Sequence, residues 1–277
     1  MHQKPAFFCT GCRGGGIRLT NIRDWVVAVT GASSGIGALA AQLLAERGAY
    51  PVLIARRSDK LEQVGARIGA QHMAIAADVA DGIQVERAVA RIIAERGRID
   101  AWINNAGFGV FKPLEETPLE LYEQMMATNY YALVHSAKAV LPHMRRAGRG
   151  QLVTVASVAG KLGTAKATAY TASKHAALGF TASLRAELQG SGITVTSVNP
   201  GPIDTPFFDI ADPDGGYRKN LGPYMLRPER VARAMVDVIG TRKADVTLPW
   251  TAAAGVKLLQ LFPNALSDAA AKLLNRK

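Results

Sequence analysis

The sequence reads as a doubly wound α/β domain, on three observations. Short β-branched runs alternate with helix-length segments along most of the chain. The runs are apolar almost throughout, as strands must be when helices cover both faces of a parallel sheet. The first run ends in a glycine-rich turn that opens a helix, "TGASSGIG" at 30–37.

The predicted strands follow in order: "DWVVAVT" (24–30), "YPVLIA" (50–55), "HMAIAADV" (72–79), "IDAWINNAG" (99–107), "GQLVTVAS" (150–157), "ITVTSVNPG" (193–201) and "DVTLP" (245–249). Between them lie helix-length segments at 36–47, 83–96, 118–146, 170–189 and 228–240. Pro51 stands near a strand start, where a missing N–H does least harm. Two regions leave this rhythm. Residues 202–227 are rich in proline, glycine and aromatics, and 250–277 read as two short amphipathic helices broken at Pro263. The expected organisation is a flexible leader over 1–20, one domain over 21–249 and a helical extension over 250–277 packed on it.

Composition narrows the function classes. Hydrophobic residues make up 48% of the chain and charged residues 20%, enough for a sizeable core. The only cysteines, Cys9 and Cys12, are too few to staple such a domain and imply a reducing, cytoplasmic setting. No second cysteine pair completes a zinc site, and His72, His135, His143 and His175 share no ligand spacing, so no metal is expected. The leader lacks the apolar core of a secretory signal, and no run is long enough to span a membrane. The net charge of +11 reads first as a solvated basic surface, with a nucleic acid, a membrane surface or an anionic cofactor as the alternatives. No basic strip interleaved with aromatics suggests a nucleic acid.

The glycine turn suits a pyrophosphate. Glycines let the backbone approach a ligand, and the helix after them aims free N–H groups and its positive end at an anion. The cradle would comprise Gly31, Ser33, Ser34, Gly35, Ile36 and Gly37. No Lys-Ser or Lys-Thr follows the last glycine, which argues against an ATP-type loop. A dinucleotide site wants an acid roughly 20 residues on, to bond the ribose 2′-hydroxyl. Here Arg56 and Arg57 follow the second strand instead. A guanidinium binds a 2′-phosphate bidentately, so the expected cofactor is NADP(H).

Tyr170 and Lys174 lie four residues apart in "YTASK" and share a helix face. A nearby ammonium would favour the phenolate and bring the tyrosine toward a working pKa. Ser157, at the end of the fifth predicted strand, stands where ligands of doubly wound sheets bind.

In combination these motifs resemble the short-chain dehydrogenase/reductases, from about residue 22 to about 249. The resemblance rests on "TGASSGIG" (30–37), "DV" (78–79), "NNAG" (104–107), Asn129 in "ATNYYA", Ser157, "YTASK" (170–174) and "NPGPIDT" (199–205). It implies a Rossmann-type fold with a seven-stranded parallel sheet. It also implies that Tyr170 is the general acid/base, that Lys174 lowers its pKa and binds the nicotinamide ribose, and that Ser157 holds the reacting oxygen. Asn129 would keep a water linking Lys174 to solvent. Asp78 and Val79 would flank the adenine, and Asn105, Ala106 and Gly107 would line the cleft. Pro200, Gly201, Ile203 and Thr205 would meet the nicotinamide. The helices around 118–146 and 170–189 would form a homodimer interface, with a tetramer as the alternative.

The expected reaction interconverts a carbonyl, ketone or aldehyde, and an alcohol. Phe108, Phe111, Phe207, Phe208, Tyr217, Tyr224, Met225 and Leu226 suggest an apolar small-molecule substrate of moderate size. The tail reads as docking on the body, with contact to a membrane surface as the alternative. A non-catalytic NADP(H)-binding sensor or scaffold is the alternative function; the joint presence of Asn129, Ser157, Tyr170 and Lys174 favours the enzyme.

Overall fold

The computed structural model describes residues 20–69 and 71–262. The cysteines, nearly all of the leader and the tail beyond Phe262 lie outside the described residues. Seven strands, β1 (Val26–Thr30), β2 (Tyr50–Ala55), β3 (Met73–Ala76), β4 (Ala101–Asn104), β5 (Gly150–Val155), β6 (Ile193–Pro200) and β7 (Asp245–Leu248), form one sheet. Its order is β3-β2-β1-β4-β5-β6-β7, with every neighbouring pair parallel. The order reverses between β1 and β4, so a crevice opens at their carboxyl ends, where Val29 pairs with Ile103.

Successive strand residues face opposite sides, and both sides are covered. On one face Val27 and Val29 of β1, Leu53, Ile103 and Val153 meet Ala40, Ala41 and Leu44 of α1 (Gly35–Glu46). Val231, Met235 and Val236 of a later helix, Pro228–Asp237, join the same core. On the other face Val26, Ala28, Val52, Ile54 and Trp102 meet Val85, Val89 and Ile92 of α3 (Gly82–Arg96). Val140 and Met144 of α5 (Ala132–Ala147) and Leu184 of α6 (Thr168–Glu187) complete it. Burial of apolar area at about 25 cal/mol per Å² drives both cores together. Near the amino end of the sheet, buried Asp100 accepts a hydrogen bond from the Val26 amide at 2.9 Å and so ties β4 to β1.

The helix α2 (Ser58–Ile68) follows β2 and covers the β2–β3 side of the sheet. The expected helix over 118–146 is three pieces: α4 (Leu119–Met126), a wide π turn (Ala127–Tyr131) and α5. Single π turns inside α-helices often mark functional positions, and this one carries Asn129. The irregular region after β6 contains two short helices, α7 (Phe207–Ala211) and α8 (Gly216–Leu221), before α9 (Pro228–Asp237). After β7 the chain forms α10 (Trp250–Leu261).

Candidate active site

Six strands each deliver predicted site residues at or just beyond their carboxyl ends: the glycine turn after β1, Arg56 and Arg57 after β2, Asp78 and Val79 after β3, Asn105 to Gly107 after β4, Ser157 after β5, and Pro200 and Gly201 at the end of β6. Asn129, Tyr170 and Lys174 come from the helices packed above that edge.

The turn is built by close approach. Gly31 has φ +67°, the left-handed region. A Cβ on Gly37 would stand 2.4 Å from the Gly31 carbonyl oxygen and 2.5 Å from Asn105 Nδ2, so no other residue fits without movement. Asn105 donates its side-chain amide to the Thr30 carbonyl at 2.9 Å, and its backbone N–H to Thr30 Oγ1 at 2.9 Å. Its side chain therefore ties β4 to the turn, a positioning task the sequence did not show. Ala106 reinforces the tie, its amide donating to Thr30 Oγ1 at 3.0 Å. Ser34, the residue before α1, makes no side-chain cap, and the first turn of α1 has no acid. Arg57 reaches back over this turn, donating to Ser33 Oγ at 3.3 Å and lying 3.5 Å from Ser34 Oγ. An uncapped helix start, glycines held tight and a guanidinium above them fit the phosphates of a dinucleotide.

Arg56 is placed differently. Its side chain is 76% exposed, with Nη1 4.0 Å from Asp78 Oδ2, away from the turn. Val79 puts its side chain in the core, and its carbonyl accepts from or faces His135 Nδ1 at 3.3 Å. Thr205 approaches the turn closely: a methyl on Gly35 would sit 3.9 Å from Thr205 Cβ. Ile203 bridges to Leu226, and the Gly201 amide donates to the Leu248 carbonyl at 2.7 Å.

The catalytic candidates converge. Ser157 donates to the Pro200 carbonyl at 3.4 Å and accepts from the Ala159 amide at 3.1 Å, which fixes its hydroxyl between β5 and β6. The Ser157 hydroxyl also lies close enough to the Tyr170 phenol to favour its ionised form. Lys174 lies one helical turn beyond Tyr170, its Nζ 5.8 Å from the phenol ring centre and donating to the Val155 carbonyl at 3.1 Å. Asn129 is buried and fully engaged. Its Oδ1 accepts from the Phe108 amide at 3.0 Å, and its Nδ2 donates to the Phe108 carbonyl and to Ser173 Oγ, both at 2.9 Å. Ser173 lies within the same "YTASK" run and was not singled out from sequence; the run itself was the available signal. Gly107 is packed against Asn129 Oδ1 and Lys174 Nζ.

The electrostatics correct one expectation. Lys174 was expected to pull the Tyr170 phenol down. Instead burial pushes Tyr170 up to about 12, with the Ser157 hydroxyl acting the other way. Burial also pulls Lys174 down to about 8. A low-polarity surrounding disfavours the charged form of each, the phenolate as much as the ammonium.

The aromatic residues of the segment 202–227 after β6, here called the lid, pack over this group together with Phe111 of the loop after β4. Phe111 packs edge-on against Tyr170 with ring centres 5.7 Å apart and against Tyr217 at 5.1 Å. Phe207 lies 5.7 Å from Tyr170, and Phe208 5.6 Å from Phe207. The Phe111 amide donates to the Ala211 carbonyl at 2.8 Å, which clips the loop after β4 to α7. Tyr170 is left 8% exposed. Tyr224, by contrast, is exposed and takes no part in the cluster.

The sequence model of a family described as short chain dehydrogenase matches residues 25–214. The chain belongs to the short-chain dehydrogenase family. Among curated members, an oxidoreductase of Staphylococcus saprophyticus is 36% identical over 209 residues, covering 74% of this chain and 88% of its own. A 3-ketodihydrosphingosine reductase of Bacteroides thetaiotaomicron is 38% identical over 184 residues, covering 66% of each chain. Among solved structures, an alcohol dehydrogenase of Thermococcus sibiricus with 5-hydroxy-NADP aligns with a TM-score of 0.72 at 26% identity, over 81% of this chain and 95% of its own. A short-chain dehydrogenase/reductase of Burkholderia phymatum with NAD has a TM-score of 0.81 at 23% identity, over 88% and 95%, a likeness of fold alone. Short-chain dehydrogenases are oxidoreductases, and the seven-stranded parallel sheet with helices on both faces is the fold of these neighbours.

Beyond the expected residues, Asp245 on β7 gathers a second polar group behind Ser157. It accepts from Lys161 Nζ with both oxygens at 2.8 Å, from Ser197 Oγ at 2.8 Å and from Asn199 Nδ2 at 2.6 Å. These bonds hold its carboxyl below the usual range although burial opposes them. They fix the carboxyl end of β6, whose Pro200 carbonyl receives Ser157. No spacing in the sequence announces this group, because its members come from the loop after β5, from β6 and from β7.

Proposed function

We propose that the chain is an NADP(H)-dependent oxidoreductase that interconverts a ketone or aldehyde and the corresponding alcohol. The observation that carries this reading is the convergence of Ser157, Tyr170 and Lys174 beside the crevice whose far side is the glycine turn. In this reading Tyr170 is the general acid/base. Its hydroxyl gives H⁺ to the substrate oxygen in reduction and takes it back in oxidation. A phenol held at about 12 is protonated at neutral pH, which suits the donor role. Ser157, close to that phenol, holds the same oxygen in reach. Lys174 binds the ribose and offers a positive charge on the proton's path, and Asn129 fixes the wall behind it through Phe108 and Ser173. Bound in the crevice, a nicotinamide supplies or accepts the hydride at the substrate carbon.

Arg57 over Ser33 and Ser34 supports the 2′-phosphate form of the cofactor, since no acid stands where one would repel it. Asp78, with Arg56 beside it, flanks the adenine side, and Ile203 and Thr205 the nicotinamide side. The aromatic lid supports an apolar substrate of moderate size. The relative named as a 3-ketodihydrosphingosine reductase acts, by its name, on a ketone. We take the working unit to be a cytoplasmic homodimer.

The test is nicotinamide absorbance with a panel of ketones and aldehydes, run with NADPH and with NADH. Turnover is expected to favour NADPH. Tyr170→Phe is expected to lower kcat by about a hundred- to ten-thousand-fold, the range for losing a general acid, while NADPH still binds. Unchanged turnover in that variant would sink the mechanism. Tight NADPH binding with no turnover of any carbonyl would favour a sensor or scaffold.

A further inference from the structure

The helix α10 presents its apolar side chains outward. Val256 is buried against the body, yet Trp250 is 73% exposed, Leu258 51%, Leu261 71% and Phe262, just past the helix, 56%. At about 100° per residue, Trp250, Ala254, Leu258 and Leu261 fall on one stripe. Lys257 borders that stripe and has no ion-pair partner among the described residues. From Trp250 to Phe262 there is no acid. The stripe starts just past the carboxyl end of β7, the edge of the sheet on which the candidate site lies. Leu248, two residues before Trp250, accepts the bond from Gly201, where the lid begins. The lid adds exposed Ile210 and Tyr224, and its Lys219 and Arg227 also lack ion-pair partners among the described residues.

We propose that this stripe docks on a bilayer surface carrying anionic lipid headgroups, with α10 lying in the interfacial plane. Charge decides the occupant. A second copy seated on this stripe would set Lys257 against its own counterpart on a stretch without an acid, and four large side chains make a narrow strip beside the roughly 800 Å² per partner of a stable protein interface. An anionic surface instead attracts the basic chain, a tryptophan at the helix end suits the headgroup level, and the lysine stem lies along apolar surface with its charge in water. The mode is interfacial, because no described helix is long and apolar enough to cross a membrane. The docking stands on α10 alone. Its use, bringing the lid to a reservoir of apolar carbonyl compounds, rests on the oxidoreductase reading.

The experiment is co-sedimentation of the full chain with vesicles of phosphatidylcholine alone or mixed with phosphatidylglycerol. The chain is expected to pellet with the anionic vesicles and to release as salt is raised. Leu258→Ser combined with Leu261→Ser is expected to lower the bound fraction about tenfold or more, and Lys257→Glu to lower it severalfold. Circular dichroism and turnover of a water-soluble ketone check that these variants stay folded. No pelleting with either vesicle, or equal pelleting by the variants, overturns the inference. So does a concentration-dependent dimer that the Leu258→Ser, Leu261→Ser variant loses, because a second copy then covers the stripe. Turnover without vesicle binding defeats this inference alone, whereas vesicle binding without turnover of any carbonyl defeats the oxidoreductase reading alone.

Discussion

Lys174 keeps its ammonium inside the protein, where it donates to the Val155 carbonyl, and burial brings it down to about 8. Four residues of spacing put phenol and ammonium on one helix face. Spacing carries no information about depth, and depth is what moved both groups toward their neutral forms. The sign of the consequence for stability follows. Between about 8 and the ordinary 10.5, the unfolded chain binds a proton at Lys174 that the folded chain does not. Stability from this group therefore rises with pH across that window and is lowest below it. The full difference is about 3 kcal/mol, taking 1.36 kcal/mol per pKa unit. Lys174→Met, close in volume and without charge, is expected to raise the thermal midpoint of the cofactor-free protein at pH 7 by several degrees while abolishing activity. The gain should shrink toward pH 10. A variant that melts lower at pH 7, or whose gain ignores pH, would count against a strained buried ammonium. Stability surrendered at a residue the proposed reaction would use is a common feature of active sites.

Phe111 joins two segments whose aromatics the sequence already groups around one apolar pocket. It lies in the loop after β4, while Phe207, Phe208 and Tyr217 lie in the lid after β6. The composition of 202–227 was legible as aromatic and irregular. Its helices were not, because five residues of α7 and six of α8 are too short to show a period. The π turn at Asn129 escaped for a related reason. One extra residue in a long apolar pattern shifts the phase without breaking it, so 118–146 read as one helix. Arg218 holds the lid's outer side through Asp204 and Asp209, at 2.6 and 3.4 Å. Those pairs are solvent-exposed and contribute little. The aromatic cluster and the backbone bond from Phe111 to Ala211 then fasten the lid to the body. Phe111→Ala is expected to loosen it, raising kcat/KM for bulky ketones relative to small ones by about fivefold or more, with KM for small ketones rising and kcat little changed. One removed ring frees the space of several methylenes, each worth about 0.8 kcal/mol when buried. An unchanged ratio across a size series of ketones would show that the lid, not Phe111, sets the fit.

The strands were the most legible part of the molecule, since a sheet covered on both faces leaves nearly every strand residue apolar, as in the fully buried Val26–Thr30. The order of strands was not legible from that pattern, which is the same for any arrangement of parallel strands. The order matters because it places the reversal between β1 and β4, and with it the crevice that the glycine turn and Arg57 border. A ligand held in that crevice touches residues from both halves of the sheet, so its binding should stabilise the fold as one unit. At a hundredfold excess over its Kd, a ligand specific to the folded state adds about 2.7 kcal/mol. For a domain of this size each kcal/mol moves the midpoint by roughly 2–4 °C. NADPH is therefore expected to raise the thermal midpoint by roughly 5–10 °C, and NADH at the same concentration by clearly less. Arg57→Ala should cut the NADPH shift to the NADH level while leaving the cofactor-free midpoint nearly unmoved, because its bonds to Ser33 and Ser34 are exposed. Equal shifts from the two cofactors in the parent chain would remove Arg57 as a reader of the 2′-phosphate. A large loss in the cofactor-free midpoint would make it a strut of the turn instead.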